Sequence, residues 1–230
     1  MNIAVLLSGG IGTRLSSDIP KQYIRIGGRM IITYCLEVLC DTGSVDVVHI
    51  VADSSWHERI MSEVSDGEKI TGFSLPGDNR QLSILNALRD MEGYAGQEDM
   101  ILVQDAVRPL ASCDIIEKVL KTAGTADGCL PVIPMKDTVY FSEDGRHLSG
   151  LLERSKILAG QAPEAYRYGK YKEANERLSY EEIMSLTGAA EPALMAGMNI
   201  ATVAGDEGNF KITTDADLKR YKEIAGYGGV

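Results

Sequence analysis

The stretch Ile3-Ala4-Val5-Leu6-Leu7-Ser8-Gly9-Gly10-Ile11-Gly12-Thr13-Arg14-Leu15 decides the fold. An unbroken apolar run, Ile3–Leu7, enters a glycine-rich loop, as expected of a strand whose two sheet faces are both covered. Glycines directly after such a strand leave backbone N–H groups free to line an anion site. A Walker A loop needs G-x-x-x-x-G-K-[ST], and no such lysine follows Gly12. A dinucleotide fingerprint needs G-x-G-x-x-G, and Leu15 stands where its third glycine would allow close helix packing. What remains is a loop carrying Arg14 and, after Pro20, Lys21: two cations at a strand's carboxyl end, a pattern that suits a triphosphate.

Outward from the loop, apolar β-rich runs alternate with helix-period segments. The pattern predicts strands at about 2–8, 46–52, 70–75, 99–104 and 128–133, and helices at 30–40, 55–65, 81–91 and 112–123. That rhythm implies an α/β fold, a doubly wound, mainly parallel twisted sheet with helices on both faces, and ligands at the carboxyl ends of its strands. The rhythm breaks at Asp137–Gly150, where alternating residues surround a Glu-Asp-Gly turn and predict an inserted β-hairpin. Helices at 168–178 and 189–196, a strand at 199–204 and a helix from about 214, capped by Thr213 or Thr214, complete the reading. The expected organisation is one domain over 1–230, with a projecting arm at about 137–155.

With 33 acidic residues against 23 Lys and Arg in 230, the net charge is -10, which argues against a nucleic-acid surface. Any bound anion must be held by a local cluster of cations. The first apolar run is too short for a signal peptide and nothing approaches a membrane-spanning length, so a cytoplasmic protein is expected. Cys35, Cys40, Cys113 and Cys129 have apolar neighbours and form no C-x-x-C pair, and read as reduced thiols in the interior. His49, His57 and His147 lack ligand spacing, which argues against a His/Cys metal site.

"GGIGTRL" followed by "PKQY" resembles the G-G-x-G-T-R-[LM]…P-K-Q-[FY] signature of cytidylyltransferases that activate polyol phosphates, the methylerythritol-phosphate and ribitol-phosphate enzymes of the nucleotidyltransferase class. The resemblance runs through the chain. "PGDNRQLS" is similar to the family's G-G-x-x-R-x-x-S segment, "VQDAVRP" to H-D-[AS]-x-R-P, Lys136-Asp137-Thr138 to K-D-T, Arg154 to the arginine after the arm, and "NFKITT" to N-[IL]-K-[IV]-T. It implies a nucleotide-diphospho-sugar transferase-like, three-layer fold that joins CTP and a polyol phosphate into a CDP-polyol and pyrophosphate with Mg²⁺. It also implies a homodimer through the arm, and no nucleic-acid or membrane partner.

Carried over residue by residue, the resemblance makes Arg14, Lys21 and Lys211 the catalytic cations. Arg14 would hold the β- and γ-phosphates, while Lys21 and Lys211 would serve the α-phosphate. Leu7, Ser8, Gly9, Gly10, Gly12, Thr13, Gly77, Asp78, Arg80, Ser83 and Asp105 would bind CTP, with Asp78 and Ser83 at the cytosine edge. Asp105 would contact magnesium, ribose or substrate hydroxyls. Arg108, Thr138, Arg154 and Thr187 would bind the polyol phosphate, Arg154 from a second subunit if the arm crosses over. The chain departs from the family's Q-T-P-Q-[AST]-F at Gln161-Ala162-Pro163-Glu164-Ala165-Tyr166, and from its T-D-[DE]-A-S at Thr187-Gly188-Ala189-Ala190-Glu191. Both departures fall in the polyol-phosphate half. Methylerythritol phosphate, ribitol phosphate and a nucleotidyl donor with another base all stay open at this point.

Overall fold

The apolar run of the opening segment forms β1 (Asn2–Leu7), the hub of an eight-stranded sheet, in a computed structural model that describes residues 1–10, 19–64 and 67–227. The chain continues through β2 (Arg25–Ile26), β3 (Arg29–Met30), α1 (Ile31–Asp41), β4 (Val47–Val51), α2 (His57–Met61), β5 (Ile70–Ser74), α3 (Arg80–Asp90), β6 (Met100–Asp105), α4 (Cys113–Ala123) and β7 (Gly128–Pro134). Then come β8 (Tyr140–Phe141), β9 (Gly150–Leu151), β10 (Leu158–Gly160), β11 (Glu164–Arg167), α5 (Tyr168–Glu176), α6 (Tyr180–Ser185), α7 (Glu191–Met195), β12 (Ile200–Ala204) and α8 (Asp215–Ile224).

Across the sheet the strands run β5-β4-β1-β6-β11-β7-β12, with β10 also paired to β7; β10 and β11 run antiparallel to the rest. Strand order reverses between β1 and β6, which pair in register so that Leu7 lies beside Asp105. A crevice opens at the carboxyl ends of strands at such a reversal, and this is where the loop after β1 emerges. The core follows the strand period of two. Ala4, Leu6, Met100 and Leu102 face one cluster with α1 and α4, while Ile3, Val5, Ile101 and Val103 face another with α3 and α5. Helix α4 shows why this works locally: Ser112 caps it, and Ile115, Ile116, Val119, Leu120 and Ala123 make one continuous buried face.

Several elements differ from the sequence expectation, among them the short strands β2 and β3, which it did not include. The helix expected at 55–65 is a 3₁₀ turn, Ser54–Trp56, followed by α2, which ends at Met61. Asp53 accepts from the Ser55 N–H at 3.0 Å and favours that tight turn. Strands β10 and β11 were not expected; Gly128 and Val132 of β7 pair with them on one edge and with β12 on the other. Helix α6 was also not expected, although Ser179 and Glu182 form a reciprocal capping box at its start. The hairpin between β7 and β10 is present as β8 and β9, and it exposes Tyr140, Phe141, Leu148 and Leu151. Thr214 caps α8. Among the described residues, no helix is long and apolar enough to cross a membrane.

Candidate active site

A cleft of about 330 Å³ lies at the β1/β6 reversal, lined by Leu7, Ser8, Gly9, Gly10, Lys21, Gly77, Asp78, Arg80, Ser83, Asp105 and Lys211 among others. Each of these was singled out in the sequence. Gly12, Thr13 and Arg14 lie outside the described residues.

The described start of the loop after β1, Ser8 to Gly10, is held by packing and hydrogen bonds. A Cβ on Gly9 would collide with Pro76, whereas a Cβ on Gly10 would meet nothing within 4 Å. The first glycine therefore serves the fold, and protein packing does not require the second. The Ser8 hydroxyl donates to the Val51 carbonyl at 2.7 Å. The Gln22 side-chain amide donates to the carbonyls of Ser8 and Gly10, the latter at 2.9 Å. This ties the turn that carries Lys21 to the glycine loop.

On the opposite wall, Asn79 caps α3 by accepting from the Leu82 N–H at 2.8 Å. The Ser83 hydroxyl accepts from the Gly77 N–H and donates to the Asn79 carbonyl, both at 2.9 Å. Ser83 thus shapes the Gly77 backbone as well as lining the cleft. At Gly77 itself, a Cβ would lie 2.6 Å from Leu82 Cβ, so only glycine fits.

At the floor, the Asp105 carboxylate is met by three cations: Arg80 Nε at 3.0 Å, Lys211 Nζ at 3.1 Å and Arg108 Nε at 3.4 Å. Lys211 comes from far along the chain on a segment fastened at several points. Ile212 N–H donates to the Val107 carbonyl at 2.9 Å, Asn209 Nδ2 to the Ala162 carbonyl at 2.8 Å, and Arg108 Nη1 to the Asn209 carbonyl at 2.7 Å. Arg80 also reaches a second buried carboxylate, Glu164, with Nη2 at 3.2 Å from Oε1, and the Tyr166 hydroxyl donates to Glu164 Oε2 at 2.6 Å.

Burial alone would raise the Asp105 carboxyl's pKa, but Arg80, then Lys211 and Arg108, outweigh burial and hold it well below the usual range. At Glu164 burial prevails over Arg80 and pushes the carboxyl up. Because Asp105 is depressed, its ion stabilises the fold above the unfolded value near 3.8, and that stabilisation is lost as pH falls through the folded value. Stability measured by urea unfolding should therefore fall between about pH 4 and pH 2, and Asp105→Asn should flatten that limb. An unchanged slope in the variant would remove Asp105 from the acid response.

Four expected residues lie elsewhere or play a different part in this single chain. Arg108 is not in the cleft lining, although it braces Asp105 from behind. Arg154 donates to the Lys136 carbonyl at 2.6 Å at the base of the exposed arm, which also carries Thr138. Thr187 donates to Glu191 through its N–H and its hydroxyl, at the start of α7. The thiols match the expectation only in part: Cys35 and Cys129 are buried, Cys40 and Cys113 half-buried, and none of the four is in a disulfide. Burial pushes the Cys35 thiol up to about 12, which leaves it inert as a nucleophile.

Comparison with known proteins decides among chemistries that share such a cleft. The model of the 2-C-methyl-D-erythritol 4-phosphate cytidylyltransferase family matches residues 2–225. The chain belongs to this family. It is therefore a nucleotidyltransferase. The family's enzyme from Geobacter metallireducens is 35% identical over 218 residues, covering 94% of this chain and 93% of that one. The enzyme from Thermotoga neapolitana is 34% identical, covering 98% and 97%. The crystal structure of the Francisella tularensis enzyme superposes with a TM-score of 0.81 at 25% identity, covering 99% of both chains.

Proposed function

We propose that this enzyme transfers the cytidylyl group of CTP to 2-C-methyl-D-erythritol 4-phosphate and releases pyrophosphate. The carrying observation is the cation cluster around Asp105 at the strand reversal, in a chain that matches the family over residues 2–225. A phosphate oxygen of the polyol phosphate attacks the α-phosphorus of CTP, the new P–O bond forms, and the bond to the β-phosphate oxygen breaks. The attacking phosphate is already ionised near neutral pH and needs no general base. Catalysis is then positioning and charge neutralisation. In this reading Lys21 and Lys211 meet charge developing around the α-phosphorus, and Arg14 holds the departing phosphates. Asp78 and Gly77 face the cytosine.

Magnesium fits this site only in company with the nucleotide. Among the described residues no group of three or more His, Cys, Asp and Glu side chains is placed to hold a metal ion. Asp105 already contacts three cations, and Asp78 is the other carboxylate of the lining. One or two carboxylates plus substrate phosphates is the usual set for Mg²⁺, which would bind the triphosphate with Asp105 at its edge and neutralise phosphate charge there.

The polyol phosphate would meet Arg108 from this chain and Thr138 and Arg154 from the arm of a second copy. The exposed Tyr140, Phe141, Leu148 and Leu151 of the arm suit burial in a homodimer. Such a dimer would work in the cytoplasm, on soluble substrates.

The test is pyrophosphate release from CTP and magnesium, with methylerythritol 4-phosphate, ribitol 5-phosphate and glycerol 3-phosphate compared in parallel. The expected kcat/KM favours the first by at least about tenfold, a discrimination that correctly paired polar groups readily reach. A preference for ribitol 5-phosphate would overturn the substrate assignment and leave the nucleotidyl transfer standing.

A further inference from the structure

Helix α6 carries no residue identified in the sequence as part of the site, yet it is fastened to the cleft wall by two hydrogen bonds running in opposite directions. The Tyr180 hydroxyl donates to Asp78 Oδ2 at 2.8 Å, and Asn79 Nδ2 donates to the Ile183 carbonyl at 2.7 Å. Tyr180 opens the helix directly after its N-cap, Ser179, inside the Ser179–Glu182 capping box, and Ile183 is its buried anchor, so the hydroxyl is delivered by a short, well-defined element. Asp78 itself is exposed on the loop before α3. Among the described residues, the Tyr180 hydroxyl is its sole hydrogen-bond partner.

We infer that Tyr180 is a positioning residue for nucleobase choice: its hydroxyl holds one oxygen of Asp78 so that the other stands as a fixed acceptor for the exocyclic amine of cytosine. This rests on the cytidylyl reading above. A carboxylate only accepts, so it pairs with an amino group at the 4-position and repels the carbonyl oxygen that uracil carries there. Discrimination of that kind needs the acceptor held in place, because a carboxylate that swings into solvent accepts from water and leaves both bases equally unpaired. An exposed aspartate on a loop has no such restraint of its own. Tyr180 supplies it at the oxygen a base would not use.

The test is Tyr180→Phe, which deletes only the hydroxyl, assayed with CTP and UTP as donors and methylerythritol 4-phosphate as acceptor. The wild-type ratio of kcat/KM for CTP over UTP should fall about five- to tenfold, the span expected for one lost hydrogen bond. The loss should come through a higher KM for CTP, with kcat within about twofold. In an Asp78→Ala background the same change should have no further effect on the ratio, because Tyr180 acts through that carboxylate. A ratio unchanged in Tyr180→Phe, or a fall that persists without Asp78, overturns the inference while the cytidylyl reading stands. A wild-type enzyme that shows no preference for CTP overturns that reading instead, and this inference with it.

Discussion

Replacing Lys21 with alanine should lower kcat by about 10²- to 10³-fold, the loss typical of removing one preorganised donor from a developing oxyanion and equivalent to about 3–4 kcal/mol of transition-state stabilisation. The expectation rests on how Lys21 is held. Its backbone forms a 3₁₀ turn after Pro20, with the Tyr23 N–H on the Pro20 carbonyl at 2.9 Å. The next residue, Gln22, is pinned to the glycine loop, and Tyr23 stacks on Trp56 with ring centroids 3.8 Å apart. A side chain on so constrained a turn needs little reorganisation as charge shifts onto the phosphates. The KM for CTP should rise far less than kcat falls, because charge at the α-phosphorus is greater in the transition state than in bound CTP. Lys21→Arg keeps the charge and alters its shape, and should recover only part of the rate. Single-turnover kinetics with saturating CTP measure the step directly; a loss of less than about threefold in Lys21→Ala would show that the electrostatic work is done elsewhere.

The sequence was most informative where one physical demand dominates a segment. Strands β1, β4 and β6 are covered on both faces, and their near-continuous apolar runs say so. Gly9, Gly10 and Lys21 were picked out from their motifs, and all three line the cleft. Strand β11 was not legible, for an equally physical reason. It lies between β6 and β7 in the middle of the sheet, yet its first residue is Glu164, buried and charged, preceded by Gln161, Ala162 and Pro163. Its partners, Arg80 and Tyr166, make the charge tolerable, and Arg80 lies 84 positions away in the chain. Long-range pairing of this kind leaves no local periodicity to read. Asn79 was passed over although its place before R-x-x-S is a helix-cap signal. Gln22 sat inside a quoted motif without a task, and only the three-dimensional path of the loop shows what its amide does.

Arg80→Met should destabilise the protein by about 3 kcal/mol, near the lower end for breaking a buried ion pair by deleting one partner. The lower end applies because the Arg80 side chain keeps 29% of its surface exposed at the cleft, whereas Asp105 keeps 8% and Glu164 11%. Without the guanidinium, Asp105 retains Lys211 and Arg108, but Glu164 is left with the Tyr166 hydroxyl alone. For a chain of this length the loss corresponds to a fall of roughly 6–12 °C in thermal midpoint. Glu164→Gln should behave differently. Burial raises the Glu164 carboxyl's pKa despite Arg80, so ionising it costs stability in the folded state, a cost that grows as pH rises from the unfolded value to the folded one and is then constant. Glutamine removes that charge and keeps both contacts, its amide oxygen accepting from Arg80 while its NH2 donates to the Tyr166 hydroxyl oxygen, so stability should stay within about 1 kcal/mol of wild type near neutral pH. The contrast separates two accounts of the floor of the cleft. If Glu164→Gln proves as damaging as Arg80→Met, the second carboxylate is needed as an ion to hold Arg80 against Asp105. If it is tolerated, the Asp105 cluster is held by its own three cations, and the Glu164–Tyr166 pair serves chiefly to satisfy the polar groups of a strand buried in the middle of the sheet.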